Sequence, residues 1–355
     1  MTGAWWEYLG VFVASAALCA VLTPLAIRVA MRSGSLDQPG GHKRHDSPVP
    51  FLGGLAIVMA FSGAVVLAAT LRPPASGLDI LLVLLAVAAV LALVGLVDDL
   101  RQLPPTWRVL AEVAAAVVVW SVGSGVTMTG IEAVNLGLTI LWVVGITNAF
   151  NLLDNMDGLA AGIGAVTCLS VFLVASANGQ FLVAALSIGL AGCTVGFLRH
   201  NFHPASVYMG DSGALFIGFL IAVLGLRLRF EGDVLVSALV PVLICSVAVF
   251  DTTLVVVSRI SAGRSPFQGG QDHTSHRLVR LGLPVPVAVG VIYFGAASVG
   301  VHAFVISRIE PASAWILAGL IGLTLLLGGG LLLKVPTYPE SKATHYAITR
   351  QDKQA

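Results

Sequence analysis

The residues with the means to do chemistry fall in a few short runs. Val97-Asp98-Asp99-Leu100-Arg101 sets two carboxylates side by side at the end of an apolar stretch. Acids at a helix C-terminus oppose the macrodipole, at a few tenths to about 1 kcal/mol each. The pair is therefore either a solvated cap that tolerates the cost, or a metal ligand and general base. Asn148-Ala-Phe-Asn151-Leu-Leu-Asp154-Asn-Met-Asp157-Gly158 repeats a carboxamide or carboxylate at every third position. On helix-like backbone these side chains form one slowly rotating polar stripe. They suit nucleobase and sugar edges and, through carboxylate oxygen, Mg²⁺. A polar turn between helices would explain Asp157-Gly158 but not the register.

Three further runs and one isolated acid carry the same kind of signal. Asn201-Phe-His-Pro-Ala-Ser-Val-Tyr208-Met-Gly210-Asp211-Ser212-Gly213 leads into another apolar stretch. Its glycines would let backbone approach a phosphate at a helix N-terminus, and Asp211 suits an N-cap or a metal ligand. Arg264-Ser-Pro-Phe-Gln-Gly-Gly-Gln-Asp272-His273-Thr-Ser-His276-Arg277 holds two His, an Asp and two Arg. That set suits a pyrophosphate better than zinc, which wants further His or Cys ligands; a basic loop on a lipid surface is the alternative. Asp37 to Gly54 contains Lys43, Arg44, His45 and paired glycines, a set for a lipid phosphate or plain topology charge. Asp251 lies within an apolar stretch about two helical turns before Arg259, as a functional intramembrane acid or as that arginine's ion-pair partner.

These runs are set in a chain of 355 residues that is 57% hydrophobic and 10% charged. A soluble domain is about a quarter charged. The composition excludes a soluble globular enzyme, a disordered chain and a nucleic-acid binder with a basic face. About eleven stretches reach the roughly 20 apolar residues that span a bilayer. They lie near 5–30, 52–71, 78–97, 108–123, 135–150, 158–177, 180–198, 212–229, 234–258, 284–306 and 312–334. The expected fold is thus all-α, a polytopic membrane protein with one catalytic domain over 1–335 and a disordered cytoplasmic tail over 336–355. Glycines at 158, 162 and 164, and at 189, 192 and 196, suit close helix approach in lipid. Cys19, Cys168, Cys193 and Cys245 all lie in apolar stretches and read as small core residues.

Orientation follows from where the basic residues fall. The first stretch has no basic residue before it and Arg28, Arg32, Lys43 and Arg44 after it, which places the N-terminus outside. Alternating through eleven spans puts fifteen Lys and Arg inside and four outside (Arg72, Arg227, Arg229 and Arg308). The same alternation brings the polar runs to one cytoplasmic face, with the C-terminus on that side. A site collected there from five loops would meet a cytoplasmic substrate.

Taken together, the runs from about residue 37 to 278 resemble those of the polyprenyl-phosphate N-acetylhexosamine-1-phosphate transferases of glycosyltransferase family 4. The resemblance implies a ten- or eleven-helix membrane enzyme of the cell membrane. Such an enzyme moves a HexNAc-1-phosphate, here GlcNAc-1-phosphate first, from a UDP-sugar to undecaprenyl or another polyprenyl phosphate and releases UMP. It implies that Asp98 and Asp99 stand at the reaction centre, one deprotonating the lipid phosphate. It makes Asp211 the catalytic Mg²⁺ ligand, with Asp154 also on the metal and Mn²⁺ as the alternative cation. Asn148, Asn151, Asp154, Asp157 and Asn201 become the nucleotide–sugar face, with Tyr208 in the position that stacks uracil. His273, His276 and Arg277 would grip the diphosphate or sugar, Lys43 and His45 match an early basic motif, and Arg108 supplies a cation after the acid pair. The partners implied are UDP-N-acetylhexosamine, the polyprenyl phosphate and the bilayer, with no nucleic acid; a homodimer is allowed for.

Two departures bear on the sugar. The branch using UDP-MurNAc-pentapeptide carries three consecutive histidines where this chain has His273-Thr-Ser-His276, and Asn155 replaces a usual glycine. The pentapeptide-sugar transferase is therefore the second reading. A nucleotide-sugar or lipid-diphosphate transporter is the alternative of another class, and would want polar residues at midplane.

Overall fold

The computed structural model describes residues 4–38, 48–71, 77–229 and 234–337. Lys43, His45 and the expected tail from 338 onward lie outside the described residues. In chain order the helices are α1 (Trp5–Ser33), α2 (Gly53–Leu71), α3 (Leu78–Arg101), α4 (Pro105–Ser121), α5 (Glu132–Leu153), α6 (Leu159–Ala177) and α7 (Phe181–Asn201). They continue with α8 (Gly210–Arg227), α9 (Val234–Ile244), α10 (Ser246–Ser261), α11 (Thr274–Arg280), α12 (Val285–Ile306) and α13 (Pro311–Leu333). Strand β1 (Leu36–Asp37) pairs antiparallel with β2 (Val49–Pro50).

Among the described residues nine helices are long and apolar enough to cross a membrane, and α9 with α10 passes only as a pair bent by 71°. The break falls at Cys245, whose φ of −89° and ψ of 4° leave the helical region. With α4, a little short at 17 residues, every apolar stretch marked in the sequence is helical, and the ninth is a broken span. The chain is an all-α polytopic membrane protein.

Burial orders the bundle. Helix α8 is buried along most of its length, from Ser212 to Gly225, while α13 and α1 present leucines and valines outward. In a bilayer that is the stable arrangement, since lipid solvates apolar side chains and the polar groups must be satisfied internally. Helix–helix association there rests on close packing, which small residues permit. Against α1, a Cβ on Gly196 would lie 2.2 Å from the Ala16 carbonyl oxygen and one on Gly192 2.5 Å from that of Phe12. The glycine spacing read from the sequence thus seats α7 on α1.

An extended segment between β2 and α2 threads beside the start of α8. Tyr208 N–H donates to the Pro50 carbonyl at 2.7 Å, and Gly53 and Gly54 donate to the carbonyls of Tyr208 and Met209 at 3.1 and 2.8 Å. A Cβ on Gly54 would stand 2.3 Å from the Gly213 nitrogen. Gly54 and Gly213, each read as able to admit a phosphate, pack against one another, because the two backbones cross there. The ends of α3, α5 and α7 and the starts of α4, α6 and α8 meet on this face.

Candidate active site

Two carboxylates at the C-terminus of α3 stand against their own helix dipole, and each is compensated by the start of another helix. Asp98 accepts from the Leu103 N–H at 2.6 Å and pairs with Arg108 of α4 at 2.8 Å. Asp99 accepts the N–H groups of Asp211 and Ser212 at 2.9 and 3.2 Å. It therefore sits at the positive end of α8 and satisfies two of its orphan donors. The sequence had offered Asp211 as the cap of α8; Asp99 does that work from 112 residues away. The approach requires Gly95, where a Cβ would lie 2.5 Å from the Asp211 backbone.

Asp211 is left free to collect the other groups. Its Oδ2 accepts from Arg108 at 2.8 Å and its Oδ1 from the Asn151 amide at 2.7 Å. One Arg108 nitrogen thus bridges Asp98 and Asp211. Asp154 stands beside Asp211 and the Gly210 N–H; burial first, then the Asp211 charge, push its carboxyl up to about 7. Crowded acids that gain by losing their protons to a cation are a hard-oxygen donor set. Among the described residues no three His, Cys, Asp or Glu side chains form a ready cage.

The polar stripe expected from Asn148 to Asp157 does not run straight, because α5 ends at Leu153. Asn148 donates to Glu112 of α4 and to the Val144 carbonyl. Asp157 leaves the cluster and accepts from His203 and from the Ala205 N–H at 2.8 and 3.0 Å. Asn201 is buried: it accepts from Gly158 N–H at 3.1 Å and donates to the Val207 carbonyl at 2.9 Å. Its amide ties two loops together rather than facing a ligand. Tyr208 is half-buried, and burial first, then the charges of Asp157, Asp37 and Asp154, push its phenol up to about 12. It presents a neutral ring.

The loop after α10 doubles back along that helix and resolves the question of Asp251. Arg259 forks onto Asp272 at 2.8 and 2.9 Å, while Asp251 takes His273 at 2.8 Å and the Thr274 N–H at 2.7 Å. Arg277, expected at the diphosphate, is directed inward and only 1% exposed. It donates to the carbonyls of Asp272, Leu332 and Val335 and to Ser258 Oγ, all within 2.7–2.9 Å. Its guanidinium joins α10, α11 and the end of α13. The His276 ring lies 5.8 Å from that of His273, and Ser275 donates to Asn155 at 2.6 Å, which fastens α11 to the Asp154–Asp157 turn.

The chain is similar to known proteins over most of its length. Residues 81–229 match glycosyl transferase family 4. The chain is 33% identical over 317 residues to a probable undecaprenyl-phosphate N-acetylglucosaminyl 1-phosphate transferase of Bacillus subtilis, spanning 86% of each. The chain belongs to glycosyl transferase family 4. It is also 34% identical to a decaprenyl-phosphate N-acetylglucosaminephosphotransferase of Mycobacterium tuberculosis, over 76% of this chain and 77% of that one. A phospho-N-acetylmuramoyl-pentapeptide-transferase of Heliobacterium modesticaldum is 32% identical over 67% of this chain.

The matched family 4 region contains two residues that the sequence reading passed over. Glu112 of α4 is fully buried, with Asn148 on one carboxylate oxygen and, among the described residues, no hydrogen-bond partner for the other. The signal was available: Arg108 and Glu112 are four apart on one helix, and a charged pair within an apolar run asks for an explanation. His203, the hydrogen-bond partner of Asp157, is the second. Glu112→Ala removes the support of Asn148 beside the carboxylate cluster. Turnover by this family 4 protein is expected to fall about 5- to 150-fold, as loss of a buried hydrogen bond of 1–3 kcal/mol implies. Initial rates on purified variant and parent check it, and parity between them would remove Glu112 from the site.

Proposed function

We propose that this chain transfers a HexNAc-1-phosphate, GlcNAc-1-phosphate first, from its UDP-sugar to a polyprenyl phosphate. An oxygen of the lipid phosphate attacks the sugar-bearing phosphorus, the bridging P–O bond breaks, and UMP leaves with polyprenyl-diphospho-sugar as the other product. The observation that carries the reading is the Asp98–Arg108–Asp211–Asn151 cluster, with Asp99 fixing its base, in a family 4 chain. Both substrates are anionic, so the reaction needs charge neutralised where the phosphates meet. Asp211 and Asp154 would hold Mg²⁺, which when bound offsets that charge and orients the phosphates.

The remaining roles belong to side chains. Arg108 exchanges Asp98 and Asp211 for the donor's phosphate oxygens, to which its planar fork is suited. Asp98, freed by that exchange, takes the lipid phosphate proton where one remains. Asn151, Asp157 and Tyr208 face the nucleoside, with Tyr208 as the uracil platform. Helices α1 to α13 act as one catalytic unit in the cytoplasmic membrane, its site facing the cytoplasm where fifteen of nineteen basic residues are counted.

Purified protein should release UMP from UDP-GlcNAc only when polyprenyl phosphate and Mg²⁺ are both present. Faster turnover of UDP-MurNAc-pentapeptide would move the assignment to the second reading. UMP release that ignores the lipid would end the proposal.

A further inference from the structure

We propose that Asp251 is a positioning residue for the transfer, holding the His273 imidazole with Nδ1 protonated and Nε2 presented to the donor diphosphate. The inference rests on the function just proposed and concerns the geometry of that site. Asp251 is 2% exposed and His273 4%, and they meet at 2.8 Å through Nδ1. The second carboxylate oxygen takes the Thr274 N–H at 2.7 Å, so both the ring and the chain that carries it are fixed. On the other side, Asp272 is clamped by Arg259. Ring position, ring rotation and loop register are thereby determined from one face of α10.

The chemistry favours a directed ring over mere adhesion. A buried carboxylate–imidazole pair is a poor way to stabilise a helix contact, since apolar residues of similar size do as well without desolvating charge. What the pair does supply is a defined tautomer: a carboxylate on Nδ1 keeps the proton there, and Nε2 becomes the nitrogen available to a ligand. Once Nε2 gains a proton, Asp251 balances the imidazolium, giving a cationic donor suited to an anionic oxygen. The place is right for the donor, because Ser275, two residues along, donates to Asn155 between Asp154 and Asp157.

The test is a cycle of D251N, H273Q and the double variant, with UMP release as the readout. In D251N one of these two bonds must meet an amide N–H: either Nδ1 loses its acceptor and the ring changes tautomer or turns, or the Thr274 N–H loses its acceptor and the segment carrying the ring shifts. D251N should lower kcat/KM for UDP-GlcNAc about 10- to 100-fold, the range for losing the group that orients an imidazole. The KM for polyprenyl phosphate should stay within about twofold, and the double variant should be no worse than H273Q alone. Additive losses, or equal losses on both substrates with a lower melting temperature, would show a structural brace and overturn the proposal. Histidine ¹⁵N spectra of the full-length parent, with H273Q for assignment, read the tautomer without relying on the folding of D251N. A ring protonated on Nε2 alone would overturn it too. Should the parent release no UMP, the functional reading fails, while the tautomer measurement still decides whether Asp251 sets the ring.

Discussion

Asp211→Asn should lower turnover about 10²- to 10³-fold, the loss seen when one preorganised electrostatic group is removed from a reaction centre, while leaving the protein as stable as its parent. The side chain keeps its shape, so one oxygen can still accept from Arg108 or Asn151. The backbone N–H that Asp99 holds is untouched. What disappears is one negative charge from a site that also holds Asp98, Asp99 and Asp154, and relief of like-charge repulsion favours the fold. Catalysis moves the other way, because the lost charge is the one proposed to hold a divalent cation. The variant should therefore need far more Mg²⁺ for any residual rate. Rates over a Mg²⁺ series and a melting curve in the same detergent check both halves. Turnover within tenfold of the parent would take Asp211 out of the metal role.

The spans were legible in the chain; the partners of the polar side chains were not. Apolar runs located every long helix because bilayer thickness sets a length that composition reveals directly. The run of Asp98 and Asp99 marked a carboxylate cluster, but not that Asp99 would anchor α8, since nothing local records which helix start will meet a given helix end. Asp251 and Arg259 looked like a pair two turns apart. Eight residues of helix separate two groups by about 12 Å along the axis, beyond ion-pair reach. Both instead found partners in the returning loop, Asp272 and His273. The glycines of 53–54 and 210–213 carried the signal of close approach without naming the neighbour: the two backbones cross at Gly54 and Gly213, and Asp99 and the Phe51 carbonyl crowd Gly210. Two of the fifteen basic residues counted for topology, Arg259 and Arg277, are buried in ion pairs or carbonyl cages, so sidedness and internal bracing share residues.

Arg277 offers the sharpest separation between what the motif implies and what its geometry does. A diphosphate-gripping arginine, removed, costs rate and leaves the fold alone. The observed guanidinium closes the carbonyls of Leu332 and Val335 at the end of α13 and reaches Ser258 on α10. Arg277→Ala should strip these groups of their donor and leave the Asp272–Arg259 pair beside an opened space. Removing one partner from a buried charged network costs about 3–5 kcal/mol. The expected result is a large fall in thermal stability and early proteolysis after α13, with activity lost in step with folded protein. Arg277→Lys should recover only part, because an ammonium cannot reproduce a planar fork with several simultaneous acceptors. If instead Arg277→Ala melts like its parent and loses only its affinity for the UDP-sugar, the guanidinium must turn outward during the cycle, and the inward cage is a resting arrangement.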